Sequence, residues 1–273
     1  YQKVDDPDVI AKFSQRWQVA LPTSTGLKSC QMIHGAKSGQ VKGLYLIAED
    51  PVQTDPDSHL VEQAMCNLDC LVVQELFFTR TASFADVILP AACALEKEGT
   101  FTNTDRRIQH FKPVLAAPGE CRTDMDIICD LAGRMGYAMH YDGPAQVWEE
   151  LAELSPILYG VRYARLTAGE QLVWPCPTQD DMGQRTLHEN TFTHGKGIFH
   201  ALEFEPSEES VDATYPYLLT TGRRLEHYCN GAMTRKTEGL MGLYSHERIE
   251  INPEDAEKLS LQEEDWVEVK SRR

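Results

Sequence analysis

The feature that most constrains the fold of this chain is a pair of short apolar runs with one helical pattern between them. Gly43 to Ala48 consists of Gly-Leu-Tyr-Leu-Ile-Ala, and Cys70 to Val73 consists of Cys-Leu-Val-Val. Short runs of this kind are typical of strands that are buried on both faces of a parallel sheet. The first run leads into Glu49-Asp50-Pro51, where the proline stops regular structure.

The segment between the two runs carries the helical pattern. Asp55 or Asp57 can cap a helix from about Ser58 to Asn67. The apolar residues of this helix fall on one side of it, namely Leu60, Val61, Ala64 and Met65. Strand, helix and strand within about thirty residues predict a βαβ unit with a right-handed crossover.

Further elements extend this pattern. Asp86 to Pro90 is a third short apolar run. Thr123 to Gly136 is a predicted helix, capped by Thr123 or Asp124 and ended by its glycine. Its predicted buried face consists of Ile127, Ile128, Leu131 and Met135. Pro144 to Leu154 is another predicted helix, with proline in its first turn. Residues 1–155 therefore predict an α/β domain with an open, mostly parallel Rossmann-like sheet and flanking helices.

The rest of the chain has a different character. Residues 156–211 lack a sustained period, and we expect a connecting segment packed on the first domain. Strand patterns follow at Tyr217–Thr221, Arg248–Ile251 and Asp265–Ser271, with a helix from Asn252 to about Leu259. Residues 212–273 therefore predict the beginning of a β-rich, barrel-like C-terminal domain. Because the chain starts at Tyr1 and stops where a strand would be ending, we expect an incomplete domain and a fragment of a longer subunit.

Composition limits the function classes. The formal net charge of −16 repels phosphate backbones, so no nucleic-acid partner is expected. No apolar run has the length of a membrane span. The eight cysteines include no CxxC pair, which favours scattered, reduced thiols in a cytoplasmic protein over a zinc or iron–sulfur site.

The first candidate site is the edge where the three predicted parallel strands end, because open sheets bind ligands there. Glu49-Asp50, Gln74-Glu75 and residues 90–98 meet at this edge if the strands are neighbours. It offers carboxylates and an amide, with neither GxGxxG nor GxxxxGK[ST]. Such groups can accept hydrogen bonds from a guanine edge or a ribose. From spacing alone, a solvated turn acid is the favoured interpretation of Asp50.

The second candidate is the segment Thr221-Gly222-Arg223-Arg224-Leu225-Glu226-His227-Tyr228. Arginine has a planar fork that matches diphosphate oxygens, and histidine and tyrosine can stack on a flat heterocycle. Taken alone, a charged loop is more often a solvated surface. His188, His194 and His200 are too widely spaced for a zinc site, and surface histidines are favoured.

Four stretches resemble the catalytic subunit of formate dehydrogenases in the molybdopterin oxidoreductase superfamily. They are LIAEDPVQTD from Leu46, TRTASFADVILP from Thr79, EGTFTNTDRRIQ from Glu98 and TGRRLEHY from Thr221. MGYAMHY from Met135 and WPCP from Trp174 also resemble formate dehydrogenases specifically. The similarity runs nearly end to end and in order.

The resemblance implies a bis-(molybdopterin guanine dinucleotide) cofactor with molybdenum or tungsten, and oxidation of formate to carbon dioxide. It also implies a 4Fe–4S cluster in a preceding part of the subunit. The expected partners are the rest of that subunit and iron–sulfur, flavin/NAD or hydrogenase electron-transfer subunits. Carried over by position, the cofactor-binding residues are Asp50, Thr54, Gln74, Asp124, Arg223, Arg224, His227 and Tyr228. At Arg224 the family often has an acid, and Asp86 and Arg106 are interpreted as structural.

The resemblance places the metal-ligating residue, the catalytic histidine and arginine and the cluster cysteines before this region. We therefore expect this chain to hold the cofactor without supplying the metal ligand, and to be inactive alone. The alternatives are another molybdopterin oxidoreductase, such as a nitrate reductase, and a non-catalytic electron-transfer subunit of the same fold.

Overall fold

The computed structural model describes residues 2–192, 194–207 and 209–272 of the chain. These residues form two compact units. The first unit comprises Tyr1–Glu49 and Gln63–Ile198, and the second comprises Asp50–Glu62 and Phe199–Arg273.

The centre of the first unit is a parallel sheet of three strands in the order β1-β2-β3. The strands are β1 (Gly43–Ile47), β2 (Cys70–Glu75) and β3 (Val87–Pro90). Ile47 and Leu89 both pair with Gln74, so the carboxyl ends of the strands share one edge. The three strands predicted from apolar runs are therefore confirmed. They are less buried than expected, since Ile47 and Val87 are 39% and 46% exposed.

The connection from β1 to β2 contains two helices, α3 (Pro51–Thr54) and α4 (Ser58–Cys66). The carboxylate of Asp57 accepts a hydrogen bond from the backbone N–H of Leu60 at 3.1 Å, so Asp57, rather than Asp55, is the capping acid. The predicted apolar stripe of α4 is confirmed for Val61, Ala64 and Met65, which are buried.

β3 is attached to β2 by a reciprocal contact of Asp86. Its carboxylate accepts a hydrogen bond from the N–H of Leu71 at 2.7 Å, and its own N–H donates to the Leu71 carbonyl at 2.9 Å. This double contact sets the register where β3 begins. It supports the structural interpretation of Asp86.

An antiparallel hairpin follows the sheet and was not foreseen from the sequence. It consists of β4 (Gly99–Thr102) and β5 (Ile108–Phe111). The turn contains Arg106 at a φ of +66°. The guanidinium of Arg106 donates to the carbonyls of Trp174, Gln184 and Arg185, which supports the structural interpretation of this arginine.

Three helices follow the hairpin in the first unit. They are α5 (Asp124–Arg134), α6 (Pro144–Leu154) and α7 (Tyr163–Thr167). A buried cluster joins β5, α6, α7 and the segment up to Cys176, and contains Ile108, Trp148, Ala152, Val161, Tyr163, Leu166, Leu172 and Cys176. The indole N–H of Trp148 donates to the Val161 carbonyl at 2.7 Å. Residues beyond 155 thus contribute a core to the first unit, while the predicted domain boundaries stay a prediction.

The predicted burial pattern of α5 is partly wrong. Ile127 is 6% exposed, whereas Ile128 and Met135 are 36% and 79% exposed. Met135 is the C-cap residue, so it lies past the last helical turn and off the buried face. Two helices near the start of the chain, α1 (Pro7–Trp17) and α2 (Ser29–Lys37), were also missed.

The second unit contains, beyond α3, the helices α8 (Glu238–Leu243) and α9 (Pro253–Lys258). Asn252 caps α9 by accepting from the N–H of Glu254 at 2.9 Å, as predicted. The strand predictions at Tyr217–Thr221, Arg248–Ile251 and Asp265–Ser271 are wrong, because none of the described residues there is in a strand. Side chains that would pack in the core of a sheet are exposed to solvent instead, Leu218 by 77% and Trp266 by 82%. Strand propensity needs ladder partners, and these segments form none.

Within the described residues, no helix is both long enough and apolar enough to cross a membrane. None of the eight cysteines, all of which lie within the described residues, forms a disulfide.

Candidate functional site

The carboxyl edge of the sheet carries a linked set of polar side chains in the first unit. Gln74, near the end of β2, is fully buried. Its amide nitrogen Nε2 donates to Oδ1 of Asp124 at 2.6 Å. Its amide oxygen accepts a hydrogen bond from the hydroxyl of Tyr45 on β1. The structure thus brings together two of the predicted site residues, Gln74 and Asp124, although they are 50 positions apart.

Asp124 lies at this edge because the backbone before it pairs with the end of β3. The N–H of Arg122 donates to the Pro90 carbonyl at 3.1 Å, and the Ala92 N–H donates to the Arg122 carbonyl at 2.8 Å. Thr123 then caps α5 by accepting from the N–H of Asp126 at 3.2 Å. Asp124 is the first residue of the helix, where the helix dipole favours a negative charge.

A lysine completes the set. The ammonium of Lys97 contacts Oδ2 of Asp124 in an ion pair whose side chains are 24% and 35% exposed. Burial, and then the charge of Asp124, raise the pKa of Tyr45, so its hydroxyl remains a donor at neutral pH. These four residues therefore form one polar network, the Gln74 network, made of Tyr45, Gln74, Lys97 and Asp124.

The other predicted site residues belong to the second unit. Asp50 is 6% exposed and precedes α3, whose last residue is Thr54. The N–H of Thr54 donates to the carbonyl of Asp50 at 3.0 Å, so the two residues are one helical turn apart. The side chain of Thr54 is exposed.

His227 is a buried residue whose side-chain contacts stabilise the loop Thr221–Tyr228. It is 6% exposed, and its Nε2 lies 2.7 Å from the carbonyl oxygen of Tyr244. Since a carbonyl only accepts, Nε2 carries a proton, and Nδ1 lies within hydrogen-bond distance of the Thr234 hydroxyl at 3.0 Å. Both ring nitrogens are therefore occupied by the protein. This geometry favours a role for His227 in shaping the loop, and direct contact with a ligand stays a prediction.

Arg224 also contacts Tyr244. Its guanidinium lies 5.4 Å from the centroid of the Tyr244 ring and pairs with Glu250 at 3.2 Å. Glu250 is 84% exposed, so this ion pair contributes little stability. Arg224 thus has an established partner, which weakens its assignment as a ligand contact.

Arg223 and Tyr228 are both exposed. Arg223 makes no ion pair or hydrogen bond with any of the described residues. It can accordingly turn towards an anion without breaking an existing interaction.

The remaining sequence candidates do not form a site. His188, His194 and His200 are exposed, as predicted for surface histidines. Within the part of the chain that the structure describes, no group of three or more His, Cys, Asp or Glu side chains could hold a metal ion.

Sequence reasoning missed Tyr45 and Lys97 in the first unit and Tyr244 in the second. Lys97 directly precedes the EGTF stretch, and Tyr45 lies inside the first apolar run. The position of Tyr45 on β1, diagonal to Gln74 on the adjacent strand, was available once a parallel pair had been predicted. No local pattern indicated that Lys97 and Asp124 are partners.

Together, these features define an open-sheet α/β protein, the class in which ligands bind at the carboxyl ends of the strands. Two family models match the chain. The molybdopterin oxidoreductase model matches residues 10–134, and the molydopterin dinucleotide binding domain model matches residues 217–273. Residues 10–134 are thus similar to molybdopterin oxidoreductases, and residues 217–273 to their dinucleotide binding domain.

Curated relatives match along the whole chain. The F420-dependent formate dehydrogenase subunit alpha of Methanocaldococcus jannaschii is 40% identical, over 100% of this chain and 41% of the relative. Formate dehydrogenase H of Escherichia coli is 36% identical, over 100% of this chain and 39% of the relative. The chain therefore spans about two fifths of the length of these relatives.

A probable oxidoreductase of Bacillus subtilis is 38% identical, over 99% of this chain and 28% of the relative. Among solved structures, acetylene hydratase from Pelobacter acetylenicus covers 52% of this chain at 20% identity, with a TM-score of 0.41.

Proposed function

We propose that this chain is the part of a molybdenum or tungsten formate dehydrogenase that holds the pterin guanine dinucleotide cofactor. The observation that carries this proposal is the similarity to formate dehydrogenase alpha subunits over the entire chain. The match of residues 217–273 to a dinucleotide binding domain supports the same assignment. A likeness of one motif alone would support only a shared fold.

The side chains at the carboxyl edge of the sheet fit a guanosine. A guanine edge offers an N–H and an exocyclic amine, and a ribose offers two hydroxyls. The carboxylate of Asp124, whose side chain is 35% exposed, can accept further hydrogen bonds beside that from Gln74, whereas Gln74 itself is fully buried. The edge thus has an acceptor that such donors require, and we propose Asp124 as the nucleotide contact and Gln74 as the buried residue that orients it.

The second unit has groups that fit the diphosphate and pterin parts. The guanidinium of Arg223 is exposed and has no partner among the described residues, and its planar fork matches phosphate oxygens. Tyr228 is 80% exposed and offers a ring face for stacking. We propose Arg223 and Tyr228 as direct contacts, with Asp50 and Thr54 on the nucleotide.

Arg224 and His227 have a different proposed part. Both residues contact Tyr244, and these contacts would fix the loop Thr221–Tyr228 and so orient Arg223 and Tyr228. The bound cofactor would supply the redox-active metal, while this chain would bind and orient it.

Several wider properties belong to the same proposal. The metal ligand and a 4Fe–4S cluster would come from residues other than these, in the longer subunit that the relatives represent. Electron-transfer subunits carrying iron–sulfur centres, a flavin that reduces NAD, or a hydrogenase would be the partners. The eight free thiols support a cytoplasmic location, where thiols stay reduced.

The test is metal analysis together with acid hydrolysis of the natively purified complex that contains this chain. Molybdenum or tungsten accompanied by GMP is the expected result. A complex with neither metal nor GMP would overturn the proposal and favour a non-catalytic electron-transfer subunit of the same fold. Metal and GMP without formate oxidation would move the assignment to another oxidoreductase of the family.

A further inference from the structure

Lys97 belongs to the Gln74 network, but the proposed function assigns it no role. Its ammonium is paired with Oδ2 of Asp124, while Oδ1 of the same carboxylate accepts from Gln74 at 2.6 Å. Both oxygens of Asp124 are thus fixed by a donor, one cationic and one neutral. Such a carboxylate has a defined rotamer and a defined direction for its remaining lone pairs.

The backbone around Lys97 is itself anchored. The carboxylate of Glu98, the next residue, accepts hydrogen bonds from His110 and from Tyr163, each at 2.9 Å. Before Lys97, the N–H of Cys93 donates to the carboxylate of Glu96 at 2.8 Å. Lys97 therefore projects from a segment that is held on both sides.

The charge of Lys97 matters for an anionic ligand. A nucleotide diphosphate is negative, the chain carries a formal net charge of −16, and an unpaired carboxylate at the ligand edge would repel it. Pairing with Lys97 neutralises Asp124 locally and leaves its oxygens able to accept hydrogen bonds. A lysine also keeps N–H donors beyond the one used on Asp124.

We propose that Lys97 is a positioning residue for nucleotide binding, which acts through Asp124 by fixing its carboxylate and balancing its charge. Tyr45 is the positioning residue for Gln74. Its hydroxyl fixes the amide oxygen of Gln74 and so directs the amide nitrogen to Asp124. This inference rests on the proposed function, since it assigns a purpose to the contacts around Gln74 and Asp124.

The experiment compares variants in the natively purified complex, with GMP per chain after gel filtration and acid hydrolysis as the readout. Lys97→Met is expected to lower retained GMP about 10-fold, the usual effect of losing a charge-assisted hydrogen bond. Lys97→Arg keeps the charge and is expected to retain most of the GMP. Lys42→Met is the matched control, because Lys42 forms an exposed ion pair with Asp69 at 3.7 Å.

A double-mutant cycle separates positioning from simple folding effects. If Lys97 acts through Asp124, Lys97→Met combined with Asp124→Asn should retain as much GMP as Asp124→Asn alone. Thermal melting of the same complexes shows whether the fold has been lost. If Lys97→Met unfolds the complex, Lys97→Arg and Tyr45→Phe provide the comparison, and Tyr45→Phe is expected to lower GMP retention less than Asp124→Asn.

The outcomes distinguish the two proposals. Wild-type complex with GMP and a folded Lys97→Met complex with equal GMP would overturn the part assigned to Lys97 and leave the proposed function standing. Additive losses in the double variant would also overturn it. A wild-type complex without GMP would overturn the proposed function and this inference together.

Discussion

The phenol oxygen of Tyr163 lies 2.9 Å from Oε1 of Glu98, the same oxygen that His110 contacts from Nε2 at 2.9 Å. Glu98 precedes β4, His110 is in β5, and Tyr163 begins α7. The rings of His110 and Tyr163 meet edge to face with centroids 5.3 Å apart. One carboxylate oxygen thus connects the hairpin to α7 and the buried cluster around it.

This contact predicts a pH-dependent stability. The hydrogen bond from His110, and then that from Tyr163, lower the pKa of Glu98 below its ordinary 4.5. Because the folded-state pKa lies below the unfolded one, the contribution is fully present above about pH 4.5 and is lost as the pH falls through the folded-state pKa. Glu98→Gln should therefore destabilise the chain at neutral pH, by less than about 1 kcal/mol because the side chain of Glu98 is 39% exposed and solvent screens its interactions.

The measurement is the urea midpoint of wild type and Glu98→Gln across an acid pH series. The difference between them should shrink as the pH falls below the ordinary carboxyl range. A difference that stays constant down to the most acidic sample would contradict the assigned cause.

The buried cluster predicts a large effect of truncation at Leu172, which is fully buried. Leu172→Ala should destabilise the first unit by roughly 2–5 kcal/mol, since it removes apolar contacts and leaves a cavity. Met135→Ala is the control, because Met135 is 79% exposed and its truncation should change stability by less than about 0.5 kcal/mol. Denaturant unfolding of both variants provides the comparison, and equal effects would argue against the packing described.

Two glycines with positive φ provide a matched test of close packing. Gly183 has a φ of +92°, and an added Cβ would lie 1.5 Å from the Val173 carbonyl oxygen, whereas Gly169 has a φ of +86° and open space around it. Gly169→Ala should cost about 1 kcal/mol, the conformational penalty alone. Gly183→Ala should cost several times more, because the backbone of residue 173 must move. Thermal melting of the two variants would show similar losses if the close approach were absent.

Arg223 and His227 should respond differently to substitution. Arg223→Gln is expected to leave the melting temperature unchanged and to lower GMP retention in the complex about 10-fold, as loss of a phosphate contact would. His227→Phe should lower the melting temperature, because it leaves the Tyr244 carbonyl and the Thr234 hydroxyl without their buried partner. Lowered stability in Arg223→Gln without any loss of GMP would contradict the part proposed for Arg223.

The isolated chain is predicted to lack formate oxidation. The proposed function gives it cofactor contacts and assigns the metal ligand elsewhere in the longer subunit. Formate-dependent dye reduction by the purified 273-residue chain should therefore match the no-formate control. Activity above that control would show that the chain supplies more of the reaction centre than its proposed part.

Local sequence patterns predicted the elements whose formation depends on residues that are close in the sequence. The strands β1, β2 and β3 were predicted from apolar runs, and α6 was predicted with proline in its first turn. The same rule could have found α1, since Asp6 caps it and Pro7 is its first residue. These are cases in which the sequence signal and the structure lie within one element.

Contacts between distant residues were beyond such patterns. Resemblance to a family indicated Gln74 and Asp124, but their mutual hydrogen bond and the ion pair to Lys97 depend on how β3 and residue 122 pair. The strand patterns after residue 212 were misleading for the same reason. Alternation shows which residues could form a sheet, and only ladder partners decide whether they do.

Arg106 holds carbonyls at both ends of an irregular segment with one side chain. Residues 174–185 contain no helix or strand, and three of their carbonyls, at positions 174, 184 and 185, are held by this guanidinium. Loss of those contacts should loosen the ends of the segment, whereas Cys176 stays in the buried cluster and its N–H donates to the Ile157 carbonyl at 2.8 Å. Amide hydrogen exchange in this segment should consequently proceed by local opening, at a free energy well below that of global unfolding.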